Sequence, residues 1–559
     1  MKNNKSYKFF ALFVVFLMAI FISVGCNPNE KSSGEEDSNK KTSSNTESGE
    51  EGKGTENTQQ KGGTLTIGYA EEPDTLDVHK SGMTIAALVG QNFGGSLITM
   101  DPETKEFVPN LAESYQVSDD GLTITFKLRQ NITFHDGTPL TAGIYKETFD
   151  RALDPATGAA VVAGQLKQIK EVKAPDDLTL IITLSEPSAP FLVNLSNVGM
   201  MQPLSPAAIE KYGDNYGRNP VGVGPWIFKE WQTGQSVTLE RNNDYKWPAP
   251  FFENKESAYP DQLVYKFIKD YQTLIAALDS GSIDVAYSIE GKDVERYQNN
   301  KDFQVFEMDR QGIGLFLEMN TEKEAFKDKA VRQAVNMAIN KEAIVQAVLS
   351  GKGRVAHGPI PPSFFGYDPE VESYGFKYNK DETVKLLESN GWSKNENGVM
   401  EKDGLELSFE LLVLDRWNQP AQIVQAMLKE VGIEINIQTL EAGTLIEKAT
   451  TGEFEMTFMG YYGNDPDALF TFLHSSQINV MNHSRVNNPE LDSLLEKSRV
   501  TIDLEERKKV VHQIQKLVVE DAYWVPIYSE KQYHVANKRV KGIKQAFDGL
   551  LFHDSWVSK

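Results

Sequence analysis

The residue types most able to do chemistry are thinly spread in this chain. Its eight histidines, His79, His135, His357, His474, His483, His512, His534 and His553, form no compact set of metal ligands. Only His474 and His483 are close enough to suggest a meeting in space, which keeps a metal chelate open as a bound species; no resident metal site and no cofactor are expected. The chain has no Walker-type phosphate loop, no His-Glu-x-x-His helix and no Gly-x-Ser-x-Gly nucleophile turn. A secreted hydrolase built on dispersed carboxylates would leave no such signature and stays open as an alternative. Arg416 and Trp417 follow an apolar run that ends at Leu414. Strand ends of that kind are where α/β proteins often place ligand contacts, so both are candidate binding residues; the other reading is a solvated loop anchored by Trp417.

The one cysteine carries a different chemistry. Lys2, Lys5 and Lys8 precede an apolar run from Phe9 to Val24, the pattern of an export signal over residues 1–25. Ser23-Val24-Gly25-Cys26 resembles a lipobox, with Ser23 where leucine is usual, so Cys26 is expected to be lipidated and to anchor the mature chain on the extracytoplasmic face of the cell membrane. The alternative is an N-terminal membrane anchor, for which the run is somewhat short. With a single thiol, no disulfide framework can form within the chain. From Asn27 to Lys61 there is no aliphatic or aromatic side chain, so residues 26–61 read as a disordered tether with a reach of roughly 30 to 35 Å.

About 500 residues remain for folded structure, and no further run approaches membrane-spanning length. The net charge of −22 argues against nucleic acid as a partner, since phosphate binding needs concentrated positive charge. Alternation predicts strands at Gly63–Tyr69, Leu122–Leu128 and Leu178–Leu184, the last two paired. Helical spacing runs over Lys329–Val348, with Asn340 as N-cap of a second helix, and over Asp381–Asn390 and Ala421–Val431, both of which end at a glycine. Strands at Leu405–Leu414 and Ile433–Leu440 flank that last helix as a βαβ unit, so the chain is mixed α/β with some parallel sheet.

Leu111 to Ala142, containing Ser118-Asp-Asp-Gly-Leu-Thr-Ile-Thr-Phe-Lys-Leu128 and Thr133-Phe-His-Asp-Gly137, resembles the signature segment of solute-binding protein family 5, the oligopeptide- and dipeptide-binding proteins of bacterial ABC importers. Gly222-Val-Gly-Pro-Trp226, Ala276–Val285, Lys327–Val335, Gly358-Pro-Ile-Pro-Pro362, Asn488–Asp492 and Glu520–Tyr528 continue the likeness in the family's order, from Gly62 to the C-terminus. One departure is Gly143-Ile144, where the family usually carries an acidic pair; it reads as a surface change at a helix start.

The resemblance implies a two-lobed periplasmic-binding-protein-like α/β fold with an extra inserted domain. Residues 62–100, 215–310 and 525–559 would form the first lobe, 101–214 the inserted domain and 311–524 the second lobe, with hinge crossovers near 310 and 525. It implies a monomeric binding protein, not an enzyme, which closes on short peptides and passes them to transporter permease subunits. A non-peptide solute (nickel or metallophore, glutathione, oligosaccharide or opine-like compound) and a signalling receptor are the alternatives. The family's ligand loop corresponds to Phe458–Phe470, where Tyr461 and Tyr462 take the aromatic positions. The family's aspartate for the peptide ammonium falls on Tyr462, so Asp465 or Asp467 is expected to substitute for it. The competing reading gives Asp465-Pro466-Asp467 a turn and a helix cap. Asn482, Ser484 and Arg485 form a further polar strip near the cleft in related proteins.

Overall fold

The computed structural model describes residues 59–461, 463, 465–546 and 549–558. The export signal, Cys26, the tether through residue 58 and Tyr462 lie outside the described residues.

Apolar runs become the strands of a twelve-stranded sheet. Its main path runs Glu434–Thr439, Ser408–Val413, Met456–Tyr461, Ile313–Met319, Trp524–Asn537, Val285–Ile289, Thr64–Tyr69, Gln262–Phe267, Ser236–Arg241, Trp226–Gln232. The 14-residue strand Trp524–Asn537 joins two half-sheets. Its first residues pair antiparallel with Ile313–Met319, as in Leu317 with Val525. Its last residues pair with Val285–Ile289 and Phe303–Asp309, as in Val535 with Ala286 and Val305. The chain crosses between the halves a second time from Phe303–Asp309 to Ile313–Met319. The two crossings touch: Arg310 N–H donates to Glu530 O at 2.9 Å, and the two side chains form an ion pair. Gly314 permits this closeness, since a Cβ there would lie 1.9 Å from Tyr528 O.

The half-sheet ending in Glu434–Thr439 contains the expected βαβ unit, with Ser408–Val413 and Glu434–Thr439 parallel and helix Asn418–Glu430 between them. The expected strand Leu405–Leu414 is broken. Asp403 and Gly404 both take positive φ and turn the chain, so Leu405–Glu406 pairs in a hairpin with Met400–Lys402 and only Ser408–Val413 joins the main sheet. The helix starts earlier than Ala421, because Pro420 is tolerated in a first turn that needs no backbone donor. Lys329–Val348 divides as expected: Asn340 Oδ1 accepts from Ala343 N–H at 2.9 Å and starts helix Lys341–Leu349 after helix Lys329–Ala338.

Residues 112–184 form a separate antiparallel sheet ordered Ala112–Val117, Thr123–Leu128, Thr179–Leu184, Ile169–Asp176, with the expected pairing of Thr123–Leu128 and Thr179–Leu184. Ile124, Phe126, Leu128 and Ile182 bury against Tyr145 and Phe149 of helix Ala142–Leu153. Thr141 caps that helix by accepting from Ile144 N–H, which serves its N-terminus in place of an acidic pair. The hydrophobic core is divided accordingly, with distinct clusters around Phe126 and Tyr145, Ile67 and Leu263, and Leu317 and Leu411.

Candidate functional site

A cavity of about 560 Å³ opens between these units. One wall comes from helix Thr84–Phe93 with Leu88 and Gln91, from Gln165 and helix Ala189–Leu195 with Val193 and Asn194, and from Asn197. Trp226, Tyr245, Trp247, Phe251, Phe252 and His553 extend that wall. Its backing depends on the glycines of the Gly222-Val-Gly-Pro-Trp226 motif. A Cβ on Gly222 would fall 1.9 Å from Phe93 O, so only glycine lets this segment lie against the end of the helix. His135 then clamps it, with Nε2 donating to Gly224 O at 3.1 Å and Nδ1 accepting from Gly222 N–H at 3.4 Å. Burial holds the His135 pKa down at about 4, as this neutral donor–acceptor arrangement requires. His553, against Tyr245 and Phe252, is likewise pushed down by burial.

The opposite wall is Tyr461, Gly463, Asp465, Asp467, Ala468 and Thr471. Strand Met456–Tyr461 delivers the tyrosine, whose ring packs edge-on against Phe472 at 5.0 Å. Its phenol is raised, first by burial and then by Asp467 and Asp465. Asp465 is fully engaged. Its carboxylate accepts from the two terminal Arg507 nitrogens, at 2.6 and 2.9 Å, and Oδ1 also accepts from Asp467 N–H at 2.8 Å. That last bond is the expected turn. Asp467 stands at the N-cap position of helix Ala468–Leu473, but its side chain makes no cap bond. It pairs instead with Arg499 Nε at 2.8 Å, so the capping expectation is corrected by an ion pair. Burial raises the Asp467 pKa, opposed by Arg499 and Arg507 and assisted by Asp465.

Arg499 and Arg507 were not singled out by sequence reading, although one signal was available. Arg507 shares a helix face with Val510, Val511 and Ile514, and a guanidinium on an apolar face demands a buried acceptor. Its Nε also donates to Ser498 O at 3.0 Å.

The remaining candidates are placed elsewhere. Arg416 is exposed, its guanidinium 4.4 Å above the half-buried Trp417 ring, and neither side chain lines the cavity. The reason is the sheet order: Ser408–Val413 lies one strand further from the shared strand than Met456–Tyr461, so its end sits behind Tyr461. Asn482 bonds His474 O and Val486 O, Ser484 accepts from Trp524 Nε1 at 3.1 Å, and Arg485 pairs with Glu322; these build the shell behind the wall. His474 bonds Ser476, while His483 pairs with buried Glu318. Among the described residues, no three His, Cys, Asp or Glu side chains gather as a metal site. On the far side of Asp465 a second cavity of about 510 Å³ includes Lys105, Arg354, Phe364 and Arg507 and shares Met100, Val193, Asp465 and Ala546 with the first.

Comparison with known proteins now bears on this cleft. The profile of the bacterial extracellular solute-binding proteins, family 5 Middle, matches residues 106–479. The oligopeptide-binding protein AppA of Bacillus subtilis (strain 168) is 29% identical over 500 residues, covering 87% of this chain and 89% of the relative. HbpA2 from Haemophilus parasuis superposes with a TM-score of 0.80 at 25% identity, covering 89% of this chain and 100% of that one. AppA in complex with a nonapeptide superposes at 0.67 and 26% identity, covering 90% and 100%. The fold is therefore the two-lobed α/β architecture of these proteins. The chain belongs to the bacterial extracellular solute-binding proteins of family 5, and it is a binding protein of the ABC-importer type, not an enzyme.

Proposed function

We propose that this chain captures short peptides outside the cytoplasm by closing two lobes on them and delivers them to the permease of an ABC transporter. The observation that carries the reading is the cavity of about 560 Å³, in the size range of small-ligand sites, walled by residues of both half-sheets and by Gln165, Val193 and Asn194. A peptide is the ligand we favour because the AppA homologue is named for oligopeptides and is known in complex with one. In this reading residues 112–184 belong to the inserted domain, the hinge crossovers fall at residues 310–312 and at Glu530–Lys531, and Tyr461 with the segment through Asp467 is the ligand face of the second lobe. Such element-terminal crossovers are where hinge closure is absorbed. The protein works as a monomer held to the membrane through a lipid on Cys26.

The deciding experiment is mass spectrometry of the small molecules released when the purified protein is denatured. Peptides of two to about nine residues are expected, and a metal chelate, sugar or other solute without peptides would overturn the assignment. Small-angle scattering with saturating ligand should show a smaller radius of gyration, since a ligand contacting both walls biases the closed state. The Cys26→Ser chain should be released from membranes or left as an uncleaved precursor; its retention at mature length would sink the anchor.

A further inference from the structure

We infer that the cavity recognises an uncharged, amide-bearing stretch of its ligand and engages neither terminal charge, so that peptides blocked at both ends are held as well as free ones. This rests on the peptide reading above and narrows it.

The charge on the wall carries the argument. Among the described residues lining this cavity there is no lysine or arginine, so a ligand carboxylate held inside it would lose its water without gaining a cation; Lys105 and Arg354 line only the neighbouring cavity. The lining carboxylates are Asp465 and Asp467; Arg507 holds the first with two hydrogen bonds, while Arg499 stands 2.8 Å from Oδ1 of the second and balances its charge without a hydrogen bond to that oxygen. Both oxygens of Asp465 are committed to Arg507, whose side chain is 1% exposed. Arg507 cannot swing away without leaving a buried charge unpaired. The two acids and two guanidiniums sum to zero, and an α-ammonium brought against them would meet as much positive charge as negative.

Neutral groups are available instead. Gln91, Gln165 and Asn197 line the cavity as half-buried carboxamides. Trp247 and Phe251 add flat apolar faces. A peptide main chain, alternating N–H and C=O, suits carboxamides that both donate and accept.

The test uses a pool of di- to hexapeptides from a protein digest, half of it N-acetylated and carboxyl-methylated. The two halves are mixed in equal amounts, presented to the mature protein, and the captured peptides are identified by mass spectrometry. Blocked and free members should be captured within about threefold of each other. Enrichment of free peptides by more than tenfold overturns the inference while leaving the peptide reading intact; capture of neither kind overturns both. Arg507→Met, checked for folding by circular dichroism, releases Asp465 and should shift capture toward free amines at least tenfold. A folded variant with an unchanged ratio overturns the claim that Arg507 silences the carboxylate. Should that variant not fold, Gln91→Leu with Gln165→Leu gives a second measure: total capture should fall at least tenfold with the ratio preserved, and undiminished capture counts against recognition by neutral amides.

Discussion

The two walls of the cleft are held in place by different forces. The wall formed by helix Thr84–Phe93 and the Gly222–Trp226 segment is positioned by backbone contact, with glycines admitting close approach and neutral His135 clamping a carbonyl and an amide group. The wall formed by Tyr461 to Thr471 is positioned by buried charge, with Asp465 and Asp467 tied to arginines on helices Leu504–Glu520 and Pro489–Val500. The first arrangement tolerates no added methyl and no added proton. The second cannot lose one partner of an ion pair. Each wall therefore has its own way of failing.

The largest effect should come from removing one charge of the buried pair. Arg507→Met leaves the Asp465 carboxylate inside without its partner, which typically costs about 3–5 kcal/mol. Denaturant melting should show this loss, and Asp465→Leu added to Arg507→Met should recover most of it, because replacing both charges with apolar groups removes the desolvation cost. If the double variant is no more stable than the single one, the charges are not what holds this wall.

Acid should break the other wall first. Burial lowers His79 and His135 to about 4 and His534 to about 3, with Arg151 adding to the effect at His79. His534 Nδ1 accepts from Ser288 N–H, as His135 Nδ1 does from Gly222 N–H, so protonation would set hydrogen against hydrogen at both. A base with a lowered folded pKa binds fewer protons than its unfolded counterpart, so its stabilisation is present above the ordinary value of 6.5 and is lost as pH falls from there towards 4. Each such group removes on the order of 1–3 kcal/mol over that window. Asp467 works in the opposite sense: its raised pKa means that protonation on acidification favours the folded state. Hydrogen exchange at pH 7 and pH 4.5 should show protection falling in Thr64–Tyr69 and Trp226–Gln232 before Met456–Tyr461. Equal loss in both half-sheets would show that the histidines do not set the acid limit.

The same contrast governs what could be read from residues alone. Strands Thr123–Leu128 and Thr179–Leu184, the βαβ unit and the Asn340 cap were legible because each element carries its own alternation, helical spacing or capping residue. The break at Leu407 was not, since it depends on Asp403-Gly404 turning the chain before the strand begins. Within the site, Tyr461, Asp465 and Asp467 were found on the wall, but the partners that alter the chemistry of the carboxylates were hidden by distance: Arg507 lies 42 residues beyond Asp465. Gln91, Gln165 and Asn197 were missed because a carboxamide has no signature until several elements converge on it. Arg416 and Trp417 were misplaced for a related reason, since strand-end position is local whereas strand order in the sheet is not.

The smallest expected effect belongs to Arg416. It is exposed, stacked on Trp417 and absent from the cavity lining, so Arg416→Ala should change stability by no more than about 0.5 kcal/mol, the usual range for a surface substitution. Peptide affinity should change less than twofold by calorimetry, because neither wall loses a contact. The measurement has a second use. Trp417 packs beneath Gly460, directly before Tyr461, so any rearrangement of the second wall during closure passes beside it. A tenfold loss of affinity in Arg416→Ala, with unchanged melting, would mean that closure carries this guanidinium to the ligand, supplying the cation that the cavity wall lacks. The charge contrast between the walls would then describe the unliganded chain alone, and a free peptide carboxylate would regain a partner in the closed complex.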